Sequence, residues 1–556
     1  MVRDDRQKFV ASALSARRRF LEMLEGPNAQ QTQALVLEQC ITRNASTAFA
    51  NGHGFASIRD IDAYRKAVPI RHYDELEPWI ERAASGEPKV LTKEDPVRFW
   101  KTTGTTSKSK KIPVTPSALA RGSESFLVLT GTQLHHHPEL SLRPDAILAC
   151  HLSPKTIKEY LGNGRFPYCS TTEIPIEVKP GKEGFFPPWL MPLQEVSEDD
   201  SERLYFLLCF AALHELQAIT CLHPSRLQTV VSVLAESSGR IIEELRNGTV
   251  LGKRMREPRP HRAKELEAIL SKSGSLRPCD IWPSLRFTSA WSGSYISRYM
   301  SVIEGGYGAD FLAMPSISSE CFMTMTVDRD RTGQPLNMRG AVFEFAPSNE
   351  PVRPDTRTFL FDELEQGATY EIILTTFGGL YRYAMCDIFR VIGKVGSVPR
   401  LEYLGRRAVC DLTGEKLAEE QVADSVGALL AELGIEGTIF TVCGIQDPGS
   451  GRRPHYVIVL EGKEDAVPAL LARGGDISRS LDARFRAVNS RYELKRNFKD
   501  LEEVVVEIVE PGTFRRYREL LASRGMPAGQ IKDKILHPAG ATVLTDLLAC
   551  GGRPRA

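Results

Sequence analysis

Near residue 405 the sequence changes its grammar, and no other feature limits the fold as much. Before that point amphipathic helical stretches, such as residues 9–24, fill residues 5–90. Ala146-Ile147-Leu148-Ala149-Cys150 then reads as a buried strand. Residues 205–220 and 227–245 read as two helices, parted by the helix-start signal His223-Pro224-Ser225. Short β-rich runs follow at 342–345, 370–375 and 389–392. Mixed helices and buried strands of this kind predict a large α/β domain over residues 1–405. Beyond it, residues 438–442 and 456–460 read as two hairpin arms around the turn-rich Asp447-Pro448-Gly449-Ser450-Gly451. Helical residues 481–492, a β run at 504–509 and a short helix before Gly525 complete a smaller α+β domain, residues 406–556. Its size, about 150 residues, is ordinary for one domain, whereas 556 residues exceed what one core usually fills.

Composition excludes several classes of function. Lysine plus arginine (71) nearly cancels aspartate plus glutamate (70), so bulk charge gives no affinity for nucleic acid or for an acidic membrane. The most apolar run, residues 205–213, falls far short of the ~20 residues that span a bilayer, and reads as a buried helix. The N-terminus leads into no signal-peptide core. Eleven cysteines are scattered without a C-x-x-C pair, a pattern of free thiols in a reducing compartment, which predicts a cytoplasmic protein. His135-His136-His137 cannot converge on one metal from a single helix or strand and reads as a loop.

The segment Thr102-Thr103-Gly104-Thr105-Thr106-Ser107-Lys108-Ser109-Lys110-Lys111 carries the chemistry. Six hydroxyls can bond anionic oxygens, the glycine lets backbone approach closely, and the lysines add charge. Such a run suits the oxygens of a polyphosphate. It lacks the G-x-x-x-x-G-K-[ST] spacing of a P-loop, and neither a dinucleotide fingerprint nor a kinase signature is present. Ser316-Ile317-Ser318-Ser319-Glu320 and Tyr381-Arg382-Tyr383-Ala384-Met385-Cys386-Asp387 follow in that order.

Together the three segments resemble the nucleotide motifs of the acyl-acid amido synthetases, adenylate-forming enzymes that conjugate auxin, jasmonate or benzoates to amino acids in plants and have bacterial relatives. The resemblance extends from about residue 60 to the C-terminal region, through Val68-Pro69-Ile70-Arg71-His72-Tyr73, Gly86-Glu87, Trp282-Pro283, Gly293-Ser294, Phe343-Glu344-Phe345, Gly405-Arg406, Glu415-Lys416 and Gly512-Thr513-Phe514. Three departures stand out. The family's first loop has glycine at Lys108, its second motif begins with an aromatic residue where this chain has Ser316, and its third has glycine at Cys386.

The resemblance implies a mechanism and a set of roles. A small carboxylic acid attacks the α-phosphate of ATP, pyrophosphate leaves, and an amine, usually an amino acid, then takes the acyl group from AMP. Thr102, Thr103, Gly104, Thr105 and Thr106 would hold the phosphates, with Lys111 near the β/γ end. Ser318 belongs to the ATP-binding set, Ser319 would bond the α-phosphate, and Glu320 would hold Mg²⁺, a hard cation suited to carboxylate. Asp387 would accept from both ribose hydroxyls, and Tyr383 would pack at the nucleotide. Arg406 would contact ribose or α-phosphate. Lys416 and Lys532, the latter in Gln530-Ile531-Lys532, are candidate cations of a mobile C-terminal domain. Two alternatives stay open, an acyl-CoA ligase sharing the first half-reaction and a nucleotide-binding protein without turnover. The sequence names neither acid nor amine, and it does not set the oligomeric state.

Overall fold

A computed structural model describes residues 3–102, 109–155, 159–171, 173–175, 187–190, 192–196, 199–254, 257–293, 296–349, 351–407, 409–410, 412–413, 415–435, 437–446, 453–497, 500–524, 526, 531, 533–537 and 542–551. Contacts divide the chain into two units. One runs through Ile296 and resumes over Val302–Tyr403; the other joins Ser297–Ser301 to the chain from Leu404 onward.

The first unit opens with helices α1 (Arg3–Met23), α2 (Asn28–Thr42), α3 (Ile61–Ala67) and α4 (Tyr73–Ala84), as the amphipathic pattern predicts. A hairpin of β1 (Arg98–Lys101) and β2 (Lys111–Val114) follows, and Phe166–Cys169 pairs in parallel with the other side of β1. Helix α5 (Pro116–His136) starts on a Thr115 cap whose hydroxyl accepts from the Ala118 N–H. The histidine run read as a loop lies on its last turn instead, where His135 and His136 end the helix. Histidines are favourable there beside the exposed carbonyls, and they carry no loop signal of their own.

A parallel sheet comes next, formed by β3 (Ile147–Ala149), β4 (Ala218–Thr220), β5 (Phe287–Trp291) and β6 (Asp310–Met314), side by side in chain order. Helices α6 (Asp200–Ala211), α7 (Pro224–Glu236), α8 (Ser238–Asn247) and α9 (Ser297–Tyr307) belong to its connections. Two sequence expectations need correction here. The helix expected over 205–220 ends at Ala211, and Ala218–Thr220 is the strand β4. Both stretches are buried and apolar, and periodicity alone cannot separate a buried strand from a buried helix. The helix expected over 227–245 is two helices, parted at Ser237. The Ser238 hydroxyl bonds the Leu234 carbonyl at 2.8 Å and accepts from the Leu276 N–H, diverting it from a continuous helix.

The third sheet has the order β7-β11-β10-β9-β8, made of β7 (Gln334–Pro335), β8 (Val342–Pro347), β9 (Thr369–Thr375), β10 (Tyr383–Val395) and β11 (Val398–Arg406). Its buried side chains, including Phe343, Phe345, Ile372, Leu374, Phe389 and Leu401, join Phe20, Phe49, Tyr64 and Leu76 of the N-terminal helices in one core.

The second unit carries α10 (Glu419–Glu432) and a sheet of β12 (Ile439–Ile445), β13 (His455–Glu461), β14 (Val505–Val509) and β15 (Leu536–His537) in the order β14-β13-β12-β15. Helices α11 (Val467–Val488), α12 (Ser490–Asn497), α13 (Thr513–Ser523) and α14 (Val543–Cys550) also belong to it. Every residue of β13 is buried, because both faces of the sheet are covered. Tyr456, Ile458 and Leu460 pack with Val422, Leu470 and Phe485, while Val457 and Val459 pack with Phe514 and Leu547. That alternation is the period of two expected of a strand. The architecture is thus α/β with mixed sheets, followed by a smaller α+β part, as predicted. Among the described residues no helix is long and apolar enough to cross a membrane.

His151, at the carboxyl end of β3, ties pH to stability. Burial pushes its imidazole down to about 4, opposed by a 3.4 Å contact of Nδ1 with the Thr220 carbonyl. The unfolded chain takes up this proton near pH 6.5 and the folded one only near 4, so stability is lost as pH falls between those values. The expected loss at this site is at most about 3 kcal/mol. Chemical denaturation at pH 7 and pH 4.5 checks it, with His151→Gln flattening the dependence.

Candidate active site

The hydroxyl-rich loop is the tip of the β1–β2 hairpin. Lys101 pairs with Lys111 in register, and the Thr102 N–H donates to the Lys110 carbonyl at 3.2 Å. Thr103, Gly104, Thr105, Thr106, Ser107 and Lys108 lie outside the described residues. Thr102 Oγ1 is buried without a hydrogen-bond partner among the described residues, an arrangement that leaves a hydroxyl available to an anionic oxygen. The exit of the loop is fastened to α4. The Tyr73 hydroxyl accepts from the Lys111 N–H at 2.7 Å, and burial pushes its phenol well above the usual range.

The two lysines at this exit face different partners. Lys111 Nζ lies 2.5 and 2.7 Å from the carboxylate oxygens of Glu81 on α4. Lys110 Nζ donates to the Tyr383 hydroxyl at 3.2 Å and sits over the rings of Tyr73 and Tyr383. The first and third motifs therefore meet through Lys110, a residue to which sequence reasoning gave no individual role.

The third motif is a bulge in a strand. β10 pairs with β9 from Tyr383, but between Ala384 and Ile388 the residues Met385, Cys386 and Asp387 stand against Ile372 alone. Bulges re-aim side chains, and this one places Asp387 beside Tyr403, whose hydroxyl donates to Oδ1 at 3.2 Å. Cys386 adopts φ +67°, the left-handed region, which accounts for the glycine that the resembled family carries here. Its Sγ lies 4.0 Å from His72 Nδ1. Cys386→Gly should relieve the side-chain clash and raise stability by about 0.5–1 kcal/mol, read from urea denaturation. A loss instead would mean that the thiol packing outweighs the strain.

Arg382, just before the strand, also has a positive φ, +48°. It is 3% exposed, and its partner Glu344 on β8 is 1% exposed. Arg382 Nε donates to Glu344 Oε2 at 2.9 Å and Nη2 to Oε1 at 3.0 Å, while Nη1 donates to the Val68 and Arg65 carbonyls. Arg65 and Thr358 bond the same carboxylate. The lead-in segment completes the frame, because the Arg71 N–H donates to the Arg382 carbonyl and the Ala384 N–H to the Arg71 carbonyl. Sequence reasoning gave Arg382 and Glu344 no role. The available signal was a glutamate inside the apolar run Val342-Phe343-Glu344-Phe345-Ala346, since a buried charge demands a partner. Tyr381 is core: its hydroxyl donates to the Leu91 carbonyl at 2.7 Å and its ring stacks on Phe49.

The second motif leaves the carboxyl end of β6, the edge where open α/β sheets bind ligands. Ile317 bridges Phe322, and the intervening turn is built by Ser318. Its Oγ accepts from the N–H groups of Glu320 and Cys321, each at 3.3 Å, and donates to the Cys321 carbonyl. Ser318 is thus engaged in shaping the turn that carries Ser319 and Glu320. Ser316, in the place of the family's aromatic, donates its N–H to Thr324 Oγ1 at 2.8 Å. Phe322 packs edge-on against Phe126 of α5, the helix that follows the hairpin.

In the second unit Lys416 is exposed at φ +52°. The preceding Glu415 carboxylate is buried and accepts from the N–H groups of Leu412 and Thr413, each at 2.8 Å, and from the Tyr456 hydroxyl. A cage around Glu415 therefore holds the turn that presents Lys416. Arg406 closes β11, and its side chain, like all of Lys532, lies outside the described residues. Among the described residues no three histidine, cysteine or acidic side chains cluster as a metal site. A single carboxylate such as Glu320 still fits Mg²⁺, which takes one or two protein ligands and completes its shell with phosphate oxygens and water.

Three family models match the chain in order: the GH3 family N-terminal domain over residues 17–310, its central domain over 335–406 and its C-terminal domain over 420–538. The indole-3-acetic acid-amido synthetase GH3.8 of Oryza sativa subsp. indica is 23% identical over 539 residues, covering 91% of this chain and 88% of its own. The structure of the acyl acid amido synthetase AtGH3.15 in complex with 2,4-DB superimposes with a TM-score of 0.78 at 22% identity, over 97% of this chain and 96% of that one. A 2-hydroxyisobutyryl-CoA ligase in the postadenylation state with 2-HIB-AMP matches with a TM-score of 0.50 at 12% identity, over 94% and 91%.

Proposed function

This chain belongs to the GH3 family, and on that premise we propose that it is an ATP-dependent ligase that adenylates a small carboxylic acid and passes the acyl group to the amine of an amino acid. The observation that carries the reading is the union of the hydroxyl-loop hairpin with the Tyr383–Asp387 bulge, in a chain matched by all three family domains. Most of the work is positioning and charge compensation. A carboxylate oxygen attacks the α-phosphorus in line, pyrophosphate leaves, the neutral amine attacks the acyl carbon, and AMP leaves with the amine's proton lost to solvent or base.

Thr102, Thr103, Gly104, Thr105 and Thr106 surround the phosphates, joined by Ser319 and Lys111; Ser318 supports the turn and Asp387 holds the ribose. Glu320 would hold Mg²⁺, which would supply charge neutralising the triphosphate. Residues 406–556 act as a mobile domain that brings Arg406, Lys416 and Lys532 to the reaction. The chain's free cysteines favour a reducing compartment, the cytoplasm.

One likeness favours a second reading, the fold shared with a CoA ligase, in which a thiol takes the place of the amine. ATP–pyrophosphate exchange across aryl, indolyl and aliphatic acids, without amine or thiol, tests the shared step. Acid-dependent exchange is expected. Adding single amino acids, or coenzyme A, then separates amide from thioester. ATP binding without exchange on any acid would leave a nucleotide-binding protein without turnover.

A further inference from the structure

We infer that Tyr456 and Asn489 are positioning residues of the adenylating step: with Glu415 they lock Lys416 in a left-handed turn from which its ammonium meets the phosphates of the nucleotide. This rests on the adenylating reading, which brings Lys416 to the reaction, and adds the residues that hold the lysine. Val409–Cys410 pairs antiparallel with Leu417–Ala418, so Lys416 stands on the returning limb of a short hairpin. Its φ is +52°. Glycine adopts that conformation freely, whereas lysine is strained there and keeps it only where the surroundings fix it.

Three separate elements fix it. Within the hairpin, the buried Glu415 carboxylate accepts from the Leu412 and Thr413 N–H groups, each at 2.8 Å, and from the Thr413 hydroxyl at 2.9 Å. From β13, the buried Tyr456 hydroxyl donates to the same carboxylate, with the Cys410 carbonyl 3.1 Å away. Burial pushes its phenol well above the usual range, which keeps the hydroxyl a donor. From the junction of α11 and α12, Asn489 Nδ2 donates to the Glu415 carbonyl at 3.2 Å and lies 3.4 Å from that of Lys416. Its Oδ1 accepts from the Arg491 and Tyr492 N–H groups. None of these bonds engages the Lys416 side chain, so glycine would serve the brace as well. Strained positions of this kind gather at functional sites, and here the side chain kept under strain carries a charge. In adenylation that charge offsets the one that builds on the phosphates as pyrophosphate leaves. Lys416 stays protonated throughout and forms no covalent bond.

The test measures ATP–pyrophosphate exchange on benzoate, indole-3-acetate and hexanoate, thermal unfolding, and the rate of tryptic cleavage after Lys416. Tyr456→Phe removes one bond to Glu415, and Asn489→Asp removes the donor while keeping the oxygen that starts α12. Each is made with and without Lys416→Gly. Lys416→Gly should lower the maximal exchange rate about 100-fold without lowering the melting temperature. Tyr456→Phe and Asn489→Asp should each lower that rate about 10-fold and speed cleavage after Lys416 about 10-fold. In the Lys416→Gly background neither should lower the exchange rate further, because the residue through which they act is gone. Losses that multiply in the double variants, or that follow a fall in melting temperature, would make the trio a plain brace and overturn the inference. Full exchange in Lys416→Gly, or unchanged cleavage in both single variants, would overturn it as well. A wild type that exchanges on none of the acids defeats the ligase reading instead, and cleavage after Lys416 still decides whether the trio locks the turn.

Discussion

Glu344→Ala is expected to destabilise the first unit by about 3–5 kcal/mol, the cost of leaving a buried ion without its partner. The carboxylate is 1% exposed and receives Arg382 through two nitrogens, Arg65 through Nε and the Thr358 hydroxyl. Removing it strands a guanidinium that is 3% exposed and whose backbone already sits at φ +48°. Urea denaturation measures the loss. Arg382→Ala and the double variant complete a cycle, and because both singles break the same pair, the double should cost clearly less than their sum. Additive losses would mean that the two residues act separately. Glu344→Gln keeps the shape and two acceptor lone pairs but not the charge, and should fall between.

Asp387→Ala should lower kcat/KM for ATP by 100-fold or more, about 3 kcal/mol, since a carboxylate bonded to two ribose hydroxyls contributes charge-assisted bonds of about 1.5–3 kcal/mol each. Stability should suffer less, by about 1.5 kcal/mol, the low end for a hydroxyl bonded to a carboxylate, because the Tyr403 hydroxyl donates to Asp387 at a part-buried position where water can replace the lost acceptor. The contrast between a large kinetic loss and a small thermodynamic one marks a ligand-binding carboxylate. Steady-state ATP kinetics in the variant decide it, and unchanged kinetics would remove Asp387 from the ribose role. Lys416→Ala offers a milder companion: exposed at φ +52°, it should cost activity while leaving the fold intact.

Much of this is legible in the sequence. The hydroxyl loop, the Ser-Ser-Glu segment and the Tyr-Arg-Tyr segment are local patterns, and their order along the chain sufficed to identify the family that the domain matches bear out. Helices up to residue 90 and the hairpin of the C-terminal part were readable because amphipathic periods and turn residues act over a few positions. Where burial is complete the pattern is lost, which is how β4 passed for the end of a helix. The third motif was readable as chemistry but not as shape: its bulge exists only in register against β9.

The sequence by itself determined the succession of an α/β part and an α+β part, the three motifs and the kind of ligand they suit. Only the tertiary structure decided which lysine faces the third motif. Lys110 and Lys111 are adjacent and chemically identical, and their partners, Tyr383 and Glu81, lie 273 and 30 residues away. It also decided that Cys386 occupies a left-handed bulge and that Glu344 neutralises Arg382. Composition and spacing record what a residue can do, whereas distance, burial and strand register, which arise only when remote segments pack, select what it does.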